Sequence, residues 1–513
     1  MGKVNSNDLA FAYAREATGQ PGVLPVTPIW KAIEPNAAPN WGNEVKTVAR
    51  NPISKSRQRR KGRVTDLDSG VEIDADFTLS GFRDFAESFV YAQAVGPEVF
   101  TPTAVAAGSY TVPALSGTQA GHLIYSGGGA KTLVYARGFA LAANNGLKVL
   151  GADDAAAATT ITVAGTQVEA LTAGQQVEVA ICGIRAAAGD LQIDAQGNLT
   201  STALDFTLLG LTVGQGIHIG GIDAANQFLN EENYGMVRLA AIAPHKLTLV
   251  KHNQPFLADD GTVDGAGGAG VAIDLLFGQF IRNVPVDHAD YRVITHQFEL
   301  ASPGLGAAGE TLYEYSQGNY ANQMVITVPL TEKATVKWSF VGLYTTDPDT
   351  ARATGAAAQL LPNQTESFGT SSDLARLRVQ QADEAGLSTD FKSLTITIKN
   401  NSAGDKVLGK LGPKYVNAGN FEVDTESEQI FSNAEVIETI RCSRTVGLDT
   451  VLRNGDGGIL IDLPSGTLSG GKRNIRENQS VTINTPFAAH RDDTLGHTLG
   501  FSLFPVLPVE TCE

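Results

Sequence analysis

Cysteine is nearly absent from this 513-residue chain, which holds only Cys182, Cys442 and Cys512. An odd number at such wide spacing excludes a disulfide framework and a Cys-based metal site. Synthesis in a reducing compartment is the expectation. Tryptophan is as scarce, at Trp30, Trp41 and Trp338. No run of about 18 apolar residues exists, so no membrane insertion is expected. The first eight residues carry no apolar stretch, so no signal peptide is expected. Basic residues are outnumbered: 38 Lys and Arg face 54 Asp and Glu, a net charge of −16. An acidic surface does not hold nucleic acid or anionic lipid. It favours solubility at high concentration, and it would let another polyanion slide past without sticking.

Catalytic constellations are missing too. The eight histidines are scattered, and His288 and His296 flank Tyr291 at a separation that suits no usual metal site. No Gly-x-Ser-x-Gly, His-Glu-x-x-His or Cys-x-x-Cys occurs. Gly466-Thr467-Leu468-Ser469-Gly470-Gly471-Lys472 matches a phosphate-loop spacing. Arg473 follows where Ser or Thr would hold Mg²⁺, and Pro464 precedes it, so a turn between strands is the expectation. No catalytic residue, metal or cofactor is expected.

What is present is β-structure that repeats itself. The length allows roughly three or four domains, and 55 glycines with 21 prolines suit many turns between many strands. Val71, Ile73, Ala75, Phe77 and Leu79 alternate with Glu72, Asp74, Asp76 and Thr78, the period of a half-buried strand. Ser80 then suits an N-cap, with an amphipathic helix over Ser80–Ala94. Val71-Glu72-Ile73-Asp74 recurs as Phe421-Glu422-Val423-Asp424, followed by a second helix from about Ser432 with Ala434, Ile437 and Ile440 inward. Leu171-Thr172-x-Gly174-Gln175-x-Val177 recurs as Leu211-Thr212-x-Gly214-Gln215-x-Ile217. Asn145–Leu150 resembles Tyr234–Leu239, and its Asn-Gly is a hairpin signal. Trp338, on the apolar side of an alternating run, reads as core. The proline-rich first 60 residues read as mostly irregular, and 345–390 as a long exposed loop with one short helix.

These features predict a mainly β chain: a duplicated β-domain, each copy with a flanking short helix, split by an inserted β-rich domain. The expected divisions are 1–124, 125–280 and 281–513. Glu72, Asp74 and Asp76 share one strand face, and Glu422, Asp424 and Glu426 repeat it. They are either a solvated surface or an acidic wall facing a channel. The run Lys55, Arg57, Arg59, Arg60, Lys61 and Arg63 reads as a basic loop that meets an acidic neighbouring subunit.

Several short motifs carry a resemblance. Tyr13-x-x-Glu16-x-x-Gly19, Pro28-x-Trp30 and Pro52-x-Ser54-x-x-Arg57 come first. Leu211–Gln215 and Asn233-Tyr234-Gly235 follow, then Leu394–Asn401 and Ile459–Pro464 after Asp456-Gly457-Gly458. In that order they resemble the major tail tube proteins of long-tailed, non-contractile (siphovirus) bacteriophages. The resemblance implies β-sandwich tube domains whose copies form rings, stacked into a tube that conducts the genome. Where one chain carries two tube domains, three chains make a pseudo-hexameric ring. The implied partners are the chain itself, a tape measure protein, tail tip or terminator proteins, and genomic DNA that passes without specific binding. The implied location is the virion tail, after assembly in the host cytoplasm. A β-rich binding or decoration module that engages host-surface carbohydrate is the alternative, and its need for exposed aromatics sits poorly with three tryptophans.

Overall fold

The computed structural model describes residues 5–50, 53, 55, 58, 60–126, 129–152, 154–250, 256–264, 267–362, 365–381 and 390–508. Among them the chain is mainly antiparallel β, with an 18-stranded sheet, a 10-stranded sheet and two small ones. No described helix is long and apolar enough to cross a membrane.

The large sheet turns through the strand Leu312–Val328. Its first half pairs with Thr295–Ser302, which continues to Ala10–Arg15 and Trp30–Ile33. Its second half pairs with Phe391–Lys399. A register shift between Ala321 and Gln323 lies where the strand changes partner, as expected of a bulge that bends a sheet. A facing layer runs Leu374–Gln381, Thr445–Asn454, Gly457–Leu468, Gly500–Phe504 and Gln279–Arg282. The result is a β-sandwich with its alternating apolar residues inside.

The helix Leu79–Val90 fills the gap between layers. Phe82 packs on Phe501, Phe85 on Trp338 and Phe89 on Phe340, at ring separations of 4.8, 4.9 and 5.3 Å. All three phenylalanines are buried, each worth roughly 1.5–3 kcal/mol of transfer free energy. Thr78, not Ser80, caps the helix, accepting from Gly81 N. Ser80 is itself buried inside the first turn. The helix stops at Tyr91, in the left-handed region. The second helix starts later than expected and covers Glu435–Arg441. Asn433 accepts from Glu435 N at its start. Val436 and Thr439 point inward, while Ile437 and Ile440 are only half-buried and Ala434 is exposed.

Two stretches expected to be mostly irregular also carry strands. The first 60 residues contribute Ala10–Arg15, Trp30–Ile33 and Asn40–Arg50, because the prolines fall between strands, where no ladder N–H is needed. Within 345–390, Leu374–Gln381 forms a strand on Thr445–Asn454. Polar Arg376 and Arg378 had masked its alternation. The phosphate-loop look-alike is a turn, leading from Gly457–Leu468 to Arg473–Asn474 with Gly470 and Gly471 at positive φ. Trp338 is core.

The 10-stranded sheet spans Val99–Phe100 to Asp274–Leu276, and it is itself a repeat. In each Leu-Thr-x-Gly-Gln segment the glutamine N donates to the threonine carbonyl at 3.1 Å, and the glutamine Oε1 accepts from the threonine N at 3.0 Å. The glycine between them has φ +82° at Gly174 and +90° at Gly214. Buried Asn144 bonds both backbone groups of Gln167. Buried Asn233 does the same to Leu257. Each asparagine ends a 3-10 turn two residues before a strand that opens on glycine, Gly146–Val149 and Gly235–Ala243.

Candidate functional site

One face of the large sheet is mostly polar. The strands lie in the order Asn40–Arg50, Arg60–Asp76, Thr335–Gly342, Leu312–Val328, Phe391–Lys399 and Glu422–Ile430. Phe487–Ala489 follows. The register runs Asp74, Lys337, Val325, Thr397, Asp424 in one row. The next row is Glu72, Ser339, Gln323, Lys399, Glu422, and a third is Asp76, Thr335, Thr327, Thr395, Glu426. All six sequence-predicted acids therefore stand on the same face of one continuous sheet. Four strand spacings separate the two acidic strands, about 19 Å. The opposite face carries Ile73, Trp338, Met324, Ile396 and Val423, all buried.

Lysines interleave these acids. Lys337 reaches Glu72 at 3.0 Å, Lys333 reaches Asp76 at 2.6 Å and Lys399 reaches Asp424 at 3.1 Å. Asp74, Glu422 and Glu426 make no side-chain hydrogen bond or ion pair among the described residues. The face is thus acidic in balance but laced with paired cations. Sequence alternation puts Lys333 and Lys337 on the wet side of their strand, but only the strand pairing sets them against the acids.

The second half of the basic run, Arg60 to Arg63, is strand and not loop. Asn40–Arg50 and Arg60–Asp76 form one long hairpin. Thr335–Gly342 supports the second strand only back to Ser69. Beyond that point the two strands pair with each other alone among the described residues. At roughly 3.3 Å per residue the ribbon projects about 30 Å. Arg60, Lys61 and Arg63 lie on its second strand and Lys55 in the turn at its tip. Arg57 and Arg59 fall outside the described residues. Val45, Val48, Ile53 and Val64 are exposed along it. Its root is braced by a second hairpin, Ala403–Lys406 with Pro413–Asn417. From there Lys406 binds Asp66 at 2.7 Å and also Asp68.

The inserted sheet is fastened to the sandwich by buried charge. Burial alone would raise the Glu178 carboxyl, but Arg83 and Arg137 outweigh it and hold it at about 2. Arg238 meets Asp462 at 2.9 Å. Arg376 pairs with Asp449 at 2.9 Å and also donates to the Met236 carbonyl at 3.0 Å. Burial pushes His218 and His497 down to about 4 on either side of this seam. Among the described residues no cluster of His, Cys, Asp or Glu could hold a metal ion. Trp30 and Trp338 are buried and Trp41 half-buried, so the tryptophans offer no stacking platform for a sugar.

No curated protein matches this chain in sequence. A family model described as phage tail tube protein matches residues 6–232 and 253–489. Two matched stretches suit duplicated β-sandwich domains, and together they take in both acidic strands and the basic hairpin. The chain belongs to the phage tail tube protein family, a family of structural components of the virion tail.

Proposed function

We propose that this chain is the major tail tube subunit of a long, non-contractile phage tail. Three copies close a pseudo-hexameric ring, rings stack into a tube, and the polar face of the large sheet lines the channel. The carrying observation is that both acidic strands lie on one face of one continuous sheet, with the core behind it. Such a wall repels phosphate over the DNA path, so the genome passes without being held. The paired lysines hold the acids in place and moderate the field.

The remaining assignments follow from this reading. The divisions 1–124, 125–280 and 281–513 stand for the first tube domain, the insertion and the second tube domain, with the strands from Val99 to Thr111 pairing into the insertion rather than the first tube domain. Sheet pairing joins the N-terminal strands to 295–342, so the first tube domain draws on chain beyond the insertion. The insertion faces outward. Tape measure, tip and terminator proteins meet the tube at its inside and its ends, and assembly takes place in the host cytoplasm.

Electron microscopy of the concentrated full-length chain tests the reading. Stacked rings with a central hole of DNA width, on the order of 20 Å, are expected. Chains that stay monomeric even with added tail tips would overturn it.

A further inference from the structure

The end of the strand Arg60–Asp76, the start of the helix Leu79–Val90 and the strand Trp30–Ile33 meet around a cavity of about 200 Å³. That exceeds the roughly 150 Å³ that takes up a benzene ring in an engineered protein cavity, so a small organic molecule fits. Tyr13, Phe85 and Trp338 line it and are buried. Glu34, which is exposed, and Asp76 and Asp84, which are half-buried, line it as well. The cavity therefore has aromatic walls on its buried side and carboxylates toward solvent.

Two of these groups lack the partner their chemistry asks for. Trp338 is 1% exposed, and its Nε1 has no hydrogen-bond partner among the described residues. A buried donor without an acceptor is costly. The other two indoles are answered, Trp30 by the Thr354 carbonyl at 3.1 Å and Trp41 by the Glu314 carboxylate at 3.3 Å. Glu34 makes no hydrogen bond or ion pair among the described residues. The remaining carboxylates are paired: Asp84 with the Tyr13 hydroxyl at 2.5 Å and Lys31 at 2.6 Å, Asp76 with Asn36 at 2.7 Å and Lys333 at 2.6 Å. Glu34, Asp76 and Asp84 against Lys31 and Lys333 leave one negative charge in excess.

We propose that this cavity is a binding site for a small organic ammonium that also carries an oxygen acceptor, the chemistry of an amino alcohol. The ammonium meets Glu34 and cancels the excess charge. The oxygen accepts from Trp338 Nε1. The rings of Tyr13 and Phe85 suit the carbons between, and aromatic faces attract a cation. An anion meets the wrong sign here, and an apolar molecule leaves both Glu34 and Trp338 without partners. The site does not depend on the tube reading and needs no assembly of copies.

Titration calorimetry of the full-length chain tests this, with aminopropanol, propylamine and propanol as probes. Aminopropanol is expected to bind saturably and about tenfold or more tighter than either probe, since each of those lacks one of the two polar groups. Glu34→Gln should weaken aminopropanol toward the level of propanol, and Trp338→Phe toward that of propylamine. No saturable heat from aminopropanol would overturn the site and leave water as its occupant. Equal binding of all three probes, or full affinity in Glu34→Gln, would overturn the assigned chemistry. If Trp338→Phe fails to fold, the indole N–H signals of the unmodified, isotope-labelled chain decide by NMR. Only three tryptophans are present, and hydrogen bonding moves an indole N–H downfield. The signal furthest upfield should be that of Trp338 and should move downfield as aminopropanol is added. Movement confined to the other two signals would refute the proposal.

Discussion

Replacing Asp74 and Asp424 by lysine should leave the particle standing but hinder the genome. Each exchange moves two units of charge, so the double variant moves four per chain, repeated in every ring of the proposed tube. The structural cost is small. Asp74 has no side-chain partner among the described residues. Asp424 loses one ion pair to Lys399, whose side chains are 36% and 48% exposed. Exposed pairs are worth about 0.2–1 kcal/mol, and the new Lys–Lys contact adds repulsion of similar size, so folding stability should fall by about 1 kcal/mol or less per site. The functional cost scales with the number of phosphates gripped. Each phosphate neutralised adds about 0.9 to the logarithmic salt slope of binding, so a ring that grips even a few would hold DNA firmly at low salt and release it at high salt. The assay is DNA ejection from assembled tails at about 50 and 200 mM salt. Delayed ejection that salt relieves is expected. Normal ejection at low salt from intact variant tails would refute the lumen assignment, because no other surface is altered.

Two further outcomes follow from the seam between insertion and sandwich. Asp449→Ala removes the carboxylate that Arg376 and Arg378 share and should destabilise the chain by about 3–5 kcal/mol, the usual consequence of stranding a buried charge. Denaturant unfolding measures it, and a loss below 1 kcal/mol would mean that water reaches those guanidinium groups. Acid should loosen the same seam. His218 and His497 are held at about 4 by burial, against an ordinary value of 6.5. Between those pH values the unfolded chain binds protons that the folded chain refuses, so stability is full above pH 6.5 and declines as pH falls toward 4. The decline is on the order of 3 kcal/mol per histidine. Thermal unfolding across that range should show it, and His218→Gln should flatten the curve in part.

Strand alternation was legible wherever one face met the core and the other met water. It was readable at Val71–Leu79, at Trp338 and at Leu394–Ile398, and it correctly put all six acids on wet faces. It failed where a strand carried charge toward a partner other than solvent. Arg376 and Arg378 read as a loop because their carboxylate, Asp449, lies on a strand some seventy residues later. The ribbon from Asn40 to Asp76 failed for a different reason. Both faces of its outer half are exposed, so no period of two marks it and a basic loop was the natural reading. That the acidic strands share one sheet is a matter of pairing through Leu312–Val328, and strand order is not encoded in local pattern.

The repeats show which residues a duplication keeps legible. In the insertion, the recurring letters are those the backbone constrains: a glycine at positive φ, a glutamine that closes the turn on itself, a threonine that supplies both partner groups, an asparagine tied to an extended segment. Apolar positions drift, since a core accepts many combinations of similar volume. Val177 and Ile217 are both buried, and the exchange is tolerated. Polar groups that answer a specific backbone atom have no such freedom, because a lost partner leaves a buried donor or acceptor unpaired. The acidic strands repeat under another constraint. Glu72 with Asp74 and Glu422 with Asp424 are exposed or half-exposed groups that contribute little to their own folding, and a solvated strand face accounts for charge at both places. Under the proposed tube reading the recurrence gains a second reason, since equivalent strands around a channel would present the same sign to whatever moves along the axis.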